Sequence, residues 1–236
     1  MTLFLFDIDG TLLRRMPPAH RQAICDALLA VYGAHLVPET LMRPESLGQT
    51  AGMTDSAIAK RALRAAGVPE DEIAAGLPAF FDASAEAYPR YVPDDLRPYH
   101  TPHAEEILTW LAERGAALSL VTGNVERIAW IKLRAAGLAD YFTGGAFGDE
   151  AAEREKLPPL ALDRARSAFG RAFAAHETYV VGDTPSDVAC GAACALRTVA
   201  VATGPVHSLD DLRAAGAEFA FADLRGLRTL RLAKGA

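Results

Sequence analysis

The stretch Leu3-Phe4-Leu5-Phe6-Asp7-Ile8-Asp9-Gly10-Thr11-Leu12 constrains the fold more than any other. An apolar run this short, broken off by two carboxylates at i and i+2, reads as a buried strand that delivers chemistry at its carboxyl end. Strand alternation puts the Asp7 and Asp9 side chains on one side, and Gly10 permits a sharp turn after them. Two acids so placed suit a shared metal, or a nucleophile with a proton carrier. An Asx-rich turn explains the same residues without chemistry. A calcium loop does not, because the further ligands of that pattern are missing after Gly10.

The same arrangement recurs downstream. Ala117-Leu118-Ser119-Leu120-Val121 is an apolar strand ending in Thr122-Gly123-Asn124. Thr178-Tyr179-Val180-Val181 runs into Gly182-Asp183-Thr184-Pro185-Ser186-Asp187. Arg197 to Val201 and Phe219 to Phe221 read as further strands, Tyr141 to Phe147 holds a weaker one, and helical patterns separate them all. Apolar strands alternating with helices predict an α/β fold, a doubly wound parallel sheet covered on both faces, with ligands at the carboxyl ends of the strands.

Residues from about Ala19 to Arg97 break this alternation. They carry only helical patterns: Arg21 to Tyr32, Asp55 to Ala66, Glu70 to Ala75, and Pro78 through Tyr88, with Pro78 at a first helical position. Prolines punctuate both joints, at Pro17-Pro18 and at Pro98 and Pro102. This organisation predicts a discontinuous α/β core, 1–14 and 100–236, interrupted by an all-helical cap domain, 15–99.

Four segments together, in this order, resemble the haloacid dehalogenase-like hydrolases. Phe6-Asp7-Ile8-Asp9-Gly10-Thr11-Leu12 resembles the first motif, D-x-D-G-T-[LV]; Thr122 after its strand resembles the second; and Gly182 to Asp187 resembles the fourth, G-D-x-x-x-D. The third motif is a basic residue at a helix start. Lys156 before Leu157-Pro158-Pro159 fits it, although the usual Lys-Pro-x-Pro here reads Lys-Leu-Pro-Pro, and Arg154 is the other candidate. The helical insertion resembles the cap of the phosphoglycolate phosphatase-like branch, in which Gly52-Met53-Thr54-Asp55-Ser56-Ala57-Ile58 matches a characteristic segment. Taken singly, Thr122 and Asp183 also read as helix caps, and Lys156 as part of a solvated charged face.

The resemblance implies a phosphomonoester hydrolase acting on a small phosphorylated metabolite, a phosphoglycolate-like acid or a sugar phosphate. Asp7 would attack phosphorus to give an aspartyl-phosphate, and Asp9 would protonate the leaving oxygen and later take a proton from water. Mg²⁺ would be held by Asp7, the Asp9 carbonyl, Asp183 and Asp187. Thr122, Gly123, Asn124 and Lys156 would bind the phosphoryl oxygens. Within the cap, Thr54 and Asp55 are expected near the substrate, and Arg43 and Gln49 are polar loop residues of the same kind. A sugar phosphomutase shares the Asp-x-Asp pair and a cap. A catalytically silent phosphometabolite-binding protein is the reading from another class, and the presence of both Asp7 and Asp9 argues against it.

Composition adds exclusions. A net charge of -6 over 236 residues argues against a nucleic-acid surface. No apolar run approaches a membrane span, and no basic leader precedes the first strand. Cys25, Cys190 and Cys194 form neither a C-x-x-C pair nor an even-numbered framework. These exclusions lead to the expectation of a cytoplasmic chain, and the resemblance implies a small-molecule phosphate ester as its partner, with a monomer or homodimer expected.

Overall fold

The computed structural model describes residues 1–14, 17–33 and 47–233. Its six-stranded sheet has the order β3-β2-β1-β4-β5-β6, with every pairing parallel. The strands are β1 (Leu3–Phe6), β2 (Ala117–Val121), β3 (Gly145–Ala146), β4 (Thr178–Gly182), β5 (Arg197–Val201) and β6 (Phe219–Phe221).

β1 lies between β2 and β4, with Leu3 opposite both Ala117 and Thr178. Its alternation serves two cores. Phe4 and Phe6 face a cluster with Ile107, Leu108 and Leu111 of α4 (Ala104–Glu113) and Ala129 and Leu133 of α5 (Glu126–Ala135). Leu3 and Leu5 face Leu157, Ala161 and Ala165 of α6 (Leu157–Phe169) and Cys190 of α7 (Pro185–Ala193). All four side chains of β1 are fully buried. At roughly 1.5–3 kcal/mol for each large apolar side chain removed from water, this strand is a main source of the sheet's stability. A strand buried on both faces reads as an unbroken apolar run, which is how it stands in the sequence.

Three helices of the insertion are α1 (Pro17–Tyr32), α2 (Asp55–Ala65) and α3 (Glu70–Ala87). They have a core of their own: Ile24, Leu28 and Tyr32 from α1, Ile58, Ala62 and Leu63 from α2, Ile73 and Phe80 from α3. Two details differ from the sequence reading. α1 begins at Pro17, since a proline in the first turn forfeits no helical hydrogen bond. α3 runs unbroken through Pro78, where two helices were expected. The packed partner supports it there. A Cβ at Gly76 would sit 2.6 Å from the Tyr32 ring, and the Tyr32 hydroxyl donates to the Ile73 carbonyl at 2.9 Å. Tertiary burial thus overrides a proline that breaks isolated helices.

A smaller apolar cluster joins this segment to the sheet layer: Ala19 and Ala23 of α1, Ala85 and Ala87 of α3, Tyr88, and Val125 and Ile128 at the start of α5.

Phe80 is fully buried at the centre of the helical core. Phe80→Ala is expected to lower the free energy of unfolding by about 3–5 kcal/mol, read from the midpoint of urea denaturation. A cost below about 1 kcal/mol would contradict this packing.

Candidate active site

Because β2, β1 and β4 are parallel neighbours, the residues that follow them meet at one edge of the sheet. Asp7 follows β1, Thr122 follows β2 and Asp183 follows β4, and all three are buried. The turn after β1 is tight. Leu12 and Leu13 N–H groups both donate to the Ile8 carbonyl at 2.9 Å, and Gly10 adopts φ +93°. That conformation favours glycine, and a Cβ at Gly10 would come within 2.2 Å of the Asp183 carboxylate. Gly204 closes on the same carboxylate, where a Cβ would lie 1.8 Å away.

Asp7, Asp183 and Asp187 each place a carboxylate oxygen within 4.8 Å of the others. Hard oxygen donors in a buried set suit Mg²⁺ by donor chemistry. Asp187 is already heavily engaged. Its Oδ2 accepts from the Thr184 N–H and hydroxyl in a capping box that opens α7, and its Oδ1 accepts from Arg154 Nη2 at 2.6 Å. All three could serve a metal by donor type, and Asp187 also holds the helix start and Arg154.

Arg154 is the basic residue the fold brings to Asp7. It sits on a 3₁₀ turn (Arg154–Lys156), with Nη2 3.1 Å from Asp7 Oδ1. The Cys190 thiol steadies the turn by donating to the Arg154 carbonyl at 3.2 Å. Arg154 Nε is buried without a hydrogen-bond partner among the described residues. Lys156, the expected phosphate ligand, faces solvent instead, two-thirds exposed and paired with Glu153 at 3.1 Å. Two residues of 3₁₀ turn, at about 120° each, carry its side chain away from the site.

A second buried cation lies on the other side of the acids. Lys132 of α5 donates to Asp9 Oδ2 at 2.6 Å and to Asn124 Oδ1 at 2.6 Å. Asn124 Nδ2 donates to Asp9 Oδ2 at 2.8 Å and to Thr122 Oγ1 at 2.7 Å. Thr122 and Asn124 thus lie at the site, linked to Asp9. The sequence reading missed Lys132. It occupies the buried stripe of α5 with Ile128, Ala129 and Leu133, and a lysine on such a stripe requires a buried anion.

These neighbours pull the two aspartates apart. Burial pushes the Asp7 carboxyl up and Arg154 opposes it, while Asp187 and Asp9 add to the rise, leaving it at about 6. Burial acts the same way on Asp9, but Lys132 and His20 and the hydrogen bonds from Lys132 and Asn124 outweigh it, lowering that carboxyl to about 2.

Thr54 and Asp55, expected near the substrate, are committed to the seam between the helical segment and the sheet layer. Thr54 caps α2 and donates to the Ala152 carbonyl at 2.9 Å. Asp55 Oδ1 lies 2.7 Å from His20 Nε2, and its Oδ2 accepts from the Val125 N–H at 2.9 Å. The Asp55 N–H donates to the Gly123 carbonyl at 2.8 Å. Gly123 has a steric reason to be glycine here, because a Cβ would lie 2.4 Å from the Met53 carbonyl oxygen. Gln49 is exposed, and Arg43 lies outside the described residues.

The family model of haloacid dehalogenase-like hydrolases matches residues 4–192. A phosphoglycolate phosphatase of Rhodospirillum rubrum is 30% identical over 227 residues, covering 94% of this chain and 88% of its own. One from Nitrosococcus oceani is 29% identical over 212 residues, covering 88% and 87%. Among solved structures, a hydrolase from Pseudomonas syringae superposes with a TM-score of 0.65 at 22% identity, covering 97% of this chain and 96% of that one. A predicted phosphoglycolate phosphatase from Haemophilus somnus gives 0.65 at 20% identity, with coverage of 97% and 96%. These two show the fold. With acids, hydroxyl and guanidinium converging at the carboxyl edge of the sheet, the chain belongs to the haloacid dehalogenase-like hydrolases.

Proposed function

We propose that the protein is a Mg²⁺-dependent phosphatase that hydrolyses a small phosphorylated metabolite, a phosphoglycolate-like acid in the first instance, through an aspartyl-phosphate on Asp7. The observation that carries this reading is the pairing of Asp7 with Arg154 at 3.1 Å while Asp9, two residues on, is tethered separately by Lys132 and Asn124. Two neighbouring carboxylates, each held by its own set of partners, can take different roles, one as nucleophile and one as proton carrier. The names of the relatives point to the same substrate class.

In this reading Asp7 supplies the oxygen that bonds to phosphorus as the ester bond to the leaving oxygen breaks. Asp9 gives that oxygen its proton and recovers one from the water that releases the phosphate. Arg154 holds phosphoryl oxygens, with Nη2 beside the nucleophile and Nε a buried donor that has no hydrogen-bond partner among the described residues. The Thr122 hydroxyl contributes from the β2 side, with the Gly123 and Asn124 backbone beside it. Asp7 and Asp183, with the Asp9 main-chain carbonyl, would hold Mg²⁺, which supplies positive charge against phosphoryl oxygens and nucleophile when bound. Four carboxylates against two cations, Arg154 and Lys132, leave a charge deficit that a divalent ion offsets. The helical segment, 15–99, serves as the cap that covers the site, with the Asp55 to Gly123 seam as its seat.

Purified protein is expected to release phosphate from a panel of small esters, two-carbon acid, sugar and nucleotide phosphates among them, only with Mg²⁺ added. EDTA and, separately, Asp7→Asn should abolish it. Release that survives Asp7→Asn would overturn the assignment of the nucleophile.

The two basic candidates separate cleanly. Arg154→Met is expected to lower kcat/KM by at least about 100-fold, since it removes a charged phosphoryl contact. It also leaves Asp7 and Asp187 buried without their cation, at a cost of about 3–5 kcal/mol in urea denaturation. Lys156→Ala should leave both quantities unchanged within error, and a large loss on Lys156→Ala would reverse the assignment.

A further inference from the structure

Lys132 is held more elaborately than a lysine that merely balances charge. Its side chain is only 3% exposed. Besides Asp9 and Asn124, its ammonium lies 3.3 Å from His20 Nδ1 and 5.5 Å from the centroid of the buried Tyr88 ring. Asn124 belongs to the loop after β2, whereas His20 and Tyr88 come from the helical segment. His20 is fixed in turn, with Nε2 2.7 Å from Asp55 Oδ1 while Asp55 Oδ2 accepts from Val125 N–H. One tautomer satisfies this chain: Nε2–H donates to Asp55 and Nδ1 accepts from Lys132.

The contacts on Asp9 are equally directed. Lys132 and Asn124 both donate to Oδ2, so the carboxylate is tethered through one oxygen and Oδ1 lies outside the tether. A proton carrier that serves first a leaving oxygen and then a water needs this arrangement, one oxygen fixed and the other presented. We propose that Lys132 is the positioning residue for Asp9, and that His20 makes its grip depend on the helical segment being seated on the sheet layer. This rests on the phosphatase reading above and adds to it the device that aims the proton carrier.

The consequence is specific to one half of the reaction. Asp9 passes its proton to the leaving oxygen as the Asp7 oxygen bonds to phosphorus. It takes a proton back as a water oxygen bonds to phosphorus and the bond from phosphorus to Asp7 breaks. With 4-nitrophenyl phosphate the leaving group departs as the phenolate and needs no proton. Formation of the aspartyl-phosphate then proceeds without an aimed Asp9, whereas its hydrolysis still requires one.

The test is Lys132→Met, a substitution of similar length without charge, assayed with 4-nitrophenyl phosphate and Mg²⁺. The expected result is a kcat lower by about tenfold or more, with KM falling in proportion so that kcat/KM stays within about threefold. A burst of nitrophenolate, about one per active site, should precede the slow steady state. A kcat/KM that falls as far as kcat, with no burst, would overturn the proposal, because a loosened or misfolded site slows both halves. Should Lys132→Met fail to fold, His20→Ala carries the same split at smaller size, and its absence there overturns the proposal equally. Away from turnover, the melting temperature of Lys132→Met should be lower than wild type and partly restored by adding Asp9→Asn. A double variant no more stable than Lys132→Met would contradict the pairing. Wild-type protein that releases no nitrophenolate removes the phosphatase reading and this one with it. Wild-type turnover with an unsplit variant removes only this one.

Discussion

The rest of the structure depends on the pairing of buried and half-buried carboxylates with two buried cations. Asp7 and Asp187 share Arg154, and Asp9 is held by Lys132. Ionised groups out of water are costly unless paired and hydrogen-bonded, so each partner must arrive in position when the chain folds. The parallel sheet sets the acids down at the ends of β1 and β4, and the elements covering its two faces bring the cations. Arg154 enters from the 3₁₀ turn before α6, on the side packed by Leu3 and Leu5. Lys132 enters from α5, on the side packed by Phe4 and Phe6. One alternating strand therefore organises both halves of the electrostatics.

The same logic explains why the helical segment belongs to the site. Its Asp55 takes part in both the backbone seam and the contact with His20, and His20 reaches Lys132. Charge on Asp9 is thus connected through Lys132 to a residue on another layer of the molecule. Glycines at 123 and 148 let the backbones approach closely enough for this: a Cβ at Gly148 would sit 1.8 Å from the Gly123 carbonyl oxygen. A segment held by main-chain hydrogen bonds and one ionic chain has a defined seat, which the cap proposed above would need in order to exclude water.

Much of this was legible in the sequence, and the gaps have physical causes. β1, β2, β4 and β5 are legible because burial on both faces leaves them mainly apolar despite Ser119, Thr178, Arg197 and Thr198, and the acids stand out where β1 and β4 stop. Pro78 misled because propensity is local, while Tyr32 packing over Gly76 holds α3 together from another helix. Lys156 and Arg154 were not separable by spacing, since a single turn decides which side chain points inward. Lys132 is not marked by the sequence, because a lone lysine in an amphipathic helix reads as part of its solvated face. The buried face of α5 nevertheless runs through Ile128, Ala129, Lys132 and Leu133. Thr54 and Asp55 looked like ligand-facing residues, since nothing in the sequence shows that carbonyls of Gly123 and Ala152 await them.

The central claim, that Asp7 is the nucleophile, is tested most directly by quenching the protein in acid during turnover and reducing it with borohydride. This converts an aspartyl-phosphate to homoserine before the peptide spanning Leu3 to Leu12 is sequenced. The account predicts homoserine at position 7 alone, and none without substrate. An unmodified Asp7 in protein that is turning over, or homoserine at position 9, 183 or 187, would contradict it.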